Sequence, residues 1–336
     1  MTGPDLWSLP AARQFLAEVE PMVWRGGAVI ATDASTPPGL SERLRQHLRD
    51  DLVLDCVVAP TGTLPLAVLD QACGGCGSSM ADVVASGHSL VIDASGLPPP
   101  DLSRWARALG EFARMRTARD EGGALLFLGD VVVPELGKID WTGRLRRVDA
   151  MIWAEYAVPV GRSDLMQRLA VDLAVELCGW RLDLVADLVS QREEDIVAPM
   201  GWLERHIEAA AATAASFGTT SFDCPLRLLA RNEGDELRRR IWSAQLAVLF
   251  PLIELHRQRL IERYRRHLYI DEHLKSLRVY SVEDIELGAM RRQLQGVLAR
   301  SDYDQVTALA NLRNDLAHRK PVSAADFHQA LGVRAG

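Results

Sequence analysis

At 336 residues, with 48% hydrophobic and 25% charged side chains, the chain has the makeup of an ordinary globular protein and length enough for two or three cores. No apolar run reaches the roughly 20 residues a membrane span needs. The N-terminal "MTGPDLWSLPAARQFLAEVE" lacks a charged-then-apolar leader pattern, and five cysteines follow no disulfide spacing, so a cytoplasmic protein is expected.

The net charge of −7 is uneven. From Pro225 onward 19 Lys and Arg stand against 14 Asp and Glu, about +5, which leaves about −12 for the remainder. A basic C-terminal part suits an anionic partner such as RNA. A set of solvated helix faces explains it too, and charge alone favours that second reading.

In chain order, "GAVIAT", "LVLDCVVA", "SLVIDASG", "GALLFLGD" and "AMIWAEYAVPV" read as strands. Several are nearly unbroken apolar runs bounded by Gly, Pro, Asp or Ser, as strands buried on both faces are. Helical patterns lie between them: "GLSERLRQHLRD", "TLPLAVLDQA" and "PDLSRWARALGEFARMRTARD". Such alternation predicts an α/β domain with a mainly parallel sheet, over about 1–160.

From Gly161 the apolar spacing turns helical throughout, with Ser163 or Asp164 placed to cap the first helix. Residues 161–224 read as a helical lid, ending in a connector "GTTSFDCP", and 225–336 as an all-α bundle. That bundle opens on a long stretch that Pro251 should bend or divide. Helices around 282–300 and 302–319 follow, the latter capped by Ser301 and carrying an apolar stripe of Val306, Leu309, Leu312 and Leu316.

The first strand runs into Ala34-Ser-Thr-Pro-Pro-Gly39-Leu40-Ser41 and then a helix. A phosphate loop has this frame, G-x-x-x-x-G-K-[ST], in which backbone amides cradle phosphates, the Lys reaches the β and γ groups and the hydroxyl holds magnesium. Frame for frame the segment resembles a Walker A motif in which Gly has become Ala34 and Lys has become Leu40, while Gly39 and Ser41 remain. Two prolines also remove two amides. "SLVID", ending at Asp93, resembles a Walker B strand, followed by Ala94 where hydrolytic relatives place a carboxylate. With the helical 161–217 segment behind it, the order of elements resembles the AAA+ and STAND families. The resemblance implies a P-loop fold without catalysis, with Gly39, Ser41 and Asp93 as a vestigial phosphate site. A doubly wound domain with a Pro-rich turn explains the same residues, and both readings make ATP hydrolysis unexpected.

Near the C-terminus, Arg313-Asn314-Asp-Leu-Ala-His318 forms R-x4-H with a polar residue after the Arg. This is similar to the signature of the HEPN superfamily, all-α domains with such a motif in a late helix. The resemblance implies a metal-independent ribonuclease site: His318 to move protons near neutral pH, and Arg313 to hold phosphoryl oxygens with a permanent forked charge. Arg313, Asn314 and His318 would be its catalytic residues. Five positions on a helix span about 500°, so one copy does not bring both side chains to one face, and HEPN sites are usually completed across a dimer. The competing reading has Arg313 and His318 pinning helix ends, with Arg319 and Lys320 completing a cationic last turn.

Other signals are weaker. Cys73-Gly-Gly-Cys76 lacks a second pair for zinc and reads as a Gly-rich turn. His206, His256, His267 and His273 read as solvated, and Trp153, Trp180, Trp202 and Trp242 as core or interface anchors. No metal or cofactor is expected. The expectation is therefore a pseudo-ATPase with a HEPN-like domain, acting as an interaction or regulatory component in a prokaryotic antiphage defence or toxin system, the setting the resemblance implies. Its partner would be a protein or a second copy, through the helical domain, with no membrane. The alternatives are an endoribonuclease using Arg313 and His318, with RNA as partner, and a nucleotide-binding switch.

Overall fold

The structure is a computed structural model and describes residues 5–49, 52–119, 122–207 and 214–331. The chain folds as two compact units. The first runs to Asp149 and takes back Ala214–Phe222; the second takes the rest from Ala150.

In the first unit, α1 (Pro10–Trp24) leads into β1 (Gly27–Ala31), then α2 (Leu40–Leu48), β2 (Leu54–Val58), α3 (Pro65–Ala72), α4 (Met80–Ala85), β3 (Ser89–Asp93), α5 (Pro99–Arg119), β4 (Leu125–Leu128) and β5 (Gly137–Asp140). The strands form one sheet, β2-β3-β4-β1-β5, with every neighbouring pair parallel. Only the chain's turn of direction after β1, from the sheet's centre to the far edge, requires a helix on the opposite face. Accordingly α1 and α2 pack together on one face. Residues of α3, α4 and α5 join Val29, Leu90, Ile92, Leu125 and Phe127 in a core on the other. The alternating neighbours Ala28, Ile30, Val91 and Leu126 are buried as well, which is why these strands read as unbroken apolar runs.

Gly27 lets β1 lie this close to β4. Its φ is +123°, and a Cβ there would stand 1.9 Å from the Leu125 carbonyl oxygen. Asp149, 1% exposed, ties the unit's beginning to its end: its carboxylate accepts from the Ala11 and Arg146 amides, both at 3.0 Å.

The second unit contains α6 (Arg147–Ala157, beginning in the first), α7 (Asp164–Cys178), α8 (Leu182–Ser190), α9 (Glu193–Val197) and α10 (Met200–Arg205). After the hairpin β6 (Ala215–Phe217) and β7 (Thr220–Phe222) come α11 (Pro225–Ala230), α12 (Gly234–Tyr264), α13 (Glu272–Ser276), α14 (Leu287–Gln293), α15 (Arg300–Ala317) and α16 (Ala324–Leu331). Helix α7 is buried on nearly every side, as a central helix must be, and α12 packs along it. Gln245, fully buried, donates to the Val197 and Val322 carbonyls at 2.8 and 3.1 Å and accepts from the Val322 amide at 2.7 Å.

Several expectations change. The "AMIWAEYAVPV" strand is helical through Ala157; Ala150 and Ala154, both fully buried, mark its inner face one turn apart. The connector at 218–225 begins inside the β6–β7 hairpin. The division at 160 falls at 149, and 161–224 does not separate from 225–336 as a lid, because α7 and α12 share one core. Pro251 does not divide α12. The carbonyl it would bond in a regular helix belongs to Ala247, and both residues are exposed, so water can serve that oxygen. The expected 282–300 helix is a 3₁₀ turn (Val282–Asp284) and then α14, and Ser301 lies inside α15, whose cap position is Ala299. Ser163 caps α7 as expected, accepting from the Met166 amide.

Candidate functional site

The loop after β1 opens on a cavity of about 240 Å³ at the carboxyl ends of β1, β3 and β4. Thr32, Asp33, Thr36, Gly39, Leu40, Ser41, Asp93 and Ser95 line it, so the three sequence candidates Gly39, Ser41 and Asp93 do come together. Carboxyl ends of parallel strands are where α/β sheets bind ligands.

The loop's polar groups, however, face one another. Asp33 Oδ1 accepts the Ser35 amide at 2.8 Å and its hydroxyl at 2.5 Å, while Oδ2 accepts the Ser216 amide at 3.3 Å. The Thr36 amide donates to the Asp33 carbonyl at 3.0 Å, and the Asp33 amide donates to Thr36 Oγ1 at 3.1 Å. Ser35 is buried, and its hydroxyl also accepts Trp141 Nε1–H at 3.2 Å. Pro37 and Pro38 have no amide hydrogen. Residues 35 to 38 thus offer the cavity no backbone donor.

Gly39, at φ 78°, turns the chain into α2, whose first turn has no side-chain cap. That turn carries Glu42, held by Arg45 Nε and Nη2 at 2.8 and 2.7 Å and by Gln46, with its carboxyl lowered to about 2 chiefly by the Arg45 bond. Across the cavity, Asp93 Oδ1 accepts the Ser95 amide and hydroxyl at 3.1 and 2.7 Å. Ala94 is buried at 2% exposure and offers no group to orient water. Among the described residues no Lys or Arg lines the cavity, while two carboxylates do. A polyphosphate would meet like charge without a counter-cation.

In the second unit, the Val306, Leu309, Leu312 and Leu316 stripe is buried, and Trp242 Nε1 donates to the Leu316 carbonyl at 2.7 Å, fixing α15 on α12. Arg313 is half-buried beside that stripe and donates to Glu286 Oε1 at 2.7 Å. It lines a cavity of about 200 Å³ with Glu254, Arg257, Asp284, Glu286 and Leu287. Arg257 is engaged too: Nε donates to Glu254 at 2.8 Å, and Nη1 donates to the Glu283 and Ile285 carbonyls at 2.6 and 3.1 Å. Three carboxylates thus surround two guanidinium groups, one of which clamps backbone.

Asn314 and His318 are exposed and neither lines this cavity. His318 occupies the C-cap of α15. Arg319 follows at φ 59°, its amide on the Leu316 carbonyl, and the Lys320 amide reaches the Asp315 carbonyl at 2.9 Å. This is a Schellman ending with an arginine where glycine is usual. Within one copy, Arg313 and His318 therefore do not share a site. Sequence reasoning missed the carboxylates around Arg313, although Glu254 and Arg257 stand at i and i+3 on a long helix, a signal for one shared face.

Among the weaker signals, the five cysteines are free, and Cys73 is buried at the end of α3. The described residues contain no group of three or more His, Cys, Asp or Glu arranged to hold a metal. His206, expected to be solvated, is half-buried with Nε2 3.3 Å from Asp187 and Nδ1 2.9 Å from the Trp202 carbonyl; His256 is half-buried as well. Trp153, Trp202 and Trp242 each donate the indole N–H to an acceptor inside the unit. No helix among the described residues is long and apolar enough to cross a membrane. No family model matches the chain, and no curated protein matches it significantly.

Proposed function

We propose that the chain is a non-hydrolysing, P-loop-like α/β unit joined to a HEPN-like helical unit, and that it works by binding a protein partner rather than by turning over a nucleotide. The observation that carries this is the loop after β1. It stands at the strand ends where such a sheet binds ligands, yet Pro37, Pro38 and the Asp33–Ser35–Thr36 bonds take residues 35 to 38 out of any phosphate cradle, leaving only the uncapped first turn of α2, and Leu40 stands where a cation would. The cavity keeps its place at the strand ends, while residues 35 to 38 supply no amide and position 40 no cation to a polyphosphate. A thermal-shift series with ATP, ADP and GTP plus magnesium tests this. A flat response is expected, whereas stabilisation of about 3 °C or more that grows with nucleotide concentration would establish the switch instead.

A second reading, metal-independent RNA cleavage, rests on the exposure of Asn314, directly after Arg313, and of His318 at the end of the same helix. Incubation of labelled RNA in EDTA with the native chain and with Arg313→Ala and His318→Ala separates the two. No cleavage is expected; EDTA-resistant cleavage lost in His318→Ala would replace the interaction reading with the enzymatic one.

A further inference from the structure

Among the described residues, the sheet of the first unit ends in β2, which pairs with β3 alone. The Ala59 amide just beyond β2 bonds the Asp93 carbonyl, so the backbone groups of odd-numbered residues face β3. Those of Leu54, Cys56 and Val58 therefore face outward. A free edge is ordinarily protected by Lys, Pro, a bulge or a covering element. Here Val53 is 81% and Val58 77% exposed, Asp55 and Cys56 are exposed, and Asp55 is the one charge on the strand. At the opposite edge, β5 exposes Lys138 and Asp140.

We propose that two copies of this chain join β2 to β2 in antiparallel fashion, about a two-fold axis at Cys56, into one continuous sheet. The strand is built for itself in this register. Outward-facing Cys56 meets its own copy, and Leu54 meets Val58 of the second copy twice. These pairs exchange both backbone hydrogen bonds, with Cα atoms about 5.5 Å apart. On one face the exposed Val58 gains an apolar neighbour. On the other, Asp55 lies opposite Val57 of the second copy rather than opposite another Asp. Helix α2 flanks the same edge, with Cys56 Sγ 3.4 Å from the Ser41 carbonyl, and carries the Glu42–Arg45 pair. In this pairing both copies of the Glu42–Arg45 pair flank the seam, each already neutralised within its own helix. A head-to-tail union of β2 with β5 would not close and would grow into filaments.

Sedimentation velocity of the full chain, from about 1 to 100 µM in reductant, should show a monomer–dimer equilibrium in that range. Val58→Lys, at an exposed position that leaves the fold intact by circular dichroism, should raise the dissociation constant at least about tenfold by placing an edge-protecting charge in the seam. Diamide supplies an independent readout. Two Cys56 thiols each lose a proton, one sulfur–sulfur bond forms, and the two electrons and two protons reduce the azo bond of diamide to its hydrazide. The geometry lies within disulfide reach, so a reductant-sensitive dimer forms in the native chain and is absent in Cys56→Ser, whose non-covalent dimer persists. A monomer at every concentration overturns the proposal. So does a dimer indifferent to Val58→Lys, or one in which diamide links no Cys56 pair; either would place self-association elsewhere, including on the helical unit.

Discussion

The cavity behind β1 and the cavity beside Arg313 are close in size, about 240 and about 200 Å³, and carboxylates line both. They differ in what the polar groups hold. Behind β1, Asp33 anchors three donors, one of them the Ser216 amide from a strand far along the chain, and Ser35 beneath it is buried. Beside α15, the Arg313–Glu286 pair joins two side chains that are 29% and 60% exposed. The first arrangement is part of the fold, and the second rests on it. A carboxylate lining a cavity can thus be structural, holding backbone donors, whereas a charged pair on a helix surface records little about stability or use.

That contrast is open to measurement. The largest effect is expected from Asp33→Ala, which leaves the Ser35 hydroxyl and two amides without their acceptor and should cost about 2–3 kcal/mol in urea unfolding. Arg313→Ala, measured beside it, should stay within about 1 kcal/mol of the native chain; similar losses in the two variants would erase the distinction. Next comes Trp242→Phe, which keeps the ring's apolar bulk but removes the indole donor from the Leu316 carbonyl, leaving it the Arg319 amide, with an expected loss of about 1 kcal/mol. An unchanged unfolding midpoint would mean α15 does not depend on that anchor. Arg319→Gly should act in the opposite direction, gaining about 0.5–1 kcal/mol, because a glycine accepts φ 59° without Cβ strain.

The smallest effect is a pH dependence. Bonds chiefly from Arg239, and also from Arg240, lower the Glu236 carboxyl to about 2 from 4.5. A folded-state value below the unfolded one means the contribution is complete above about 4.5 and fades as pH falls toward 2. Glu236→Gln should therefore reduce stability at neutral pH and narrow its gap to the native chain in acid. A gap constant from neutral pH to about 3 would exclude that linkage.

Much of the first unit was legible because β1, β3 and β4 are buried on both faces and carry nearly unbroken apolar runs, broken in β3 only by Ser89 and Asp93 at its ends. Strand β5, "GKID", was not, since its edge position leaves Lys138 and Asp140 in water and breaks the run. Residues 150–160 misled through their Val, Ile, Trp and Tyr content. The decisive signal was the pair of small residues Ala150 and Ala154, spaced by one helical turn and set against the core. At the site, the prolines and Leu40 could be read directly. Asp33 could not, because its donors include an amide from residue 216, a contact that only the folded chain creates. Likewise the R-x4-H spacing fixed an angle on a helix but not that Glu286 would hold Arg313 while His318 ended the helix in solvent.

The hairpin at 215–222 belongs with the first unit although the segments on either side of it belong with the second. Neither unit is therefore one uninterrupted stretch of polypeptide. A clone that stops after residue 149 would leave the loop carboxylate without its distant donor, and one that starts at residue 225 would strip α12 of the helix it lies along. Dissection of this protein calls for circular permutation or internal grafting at the hairpin, because simple truncation removes parts of both halves at once.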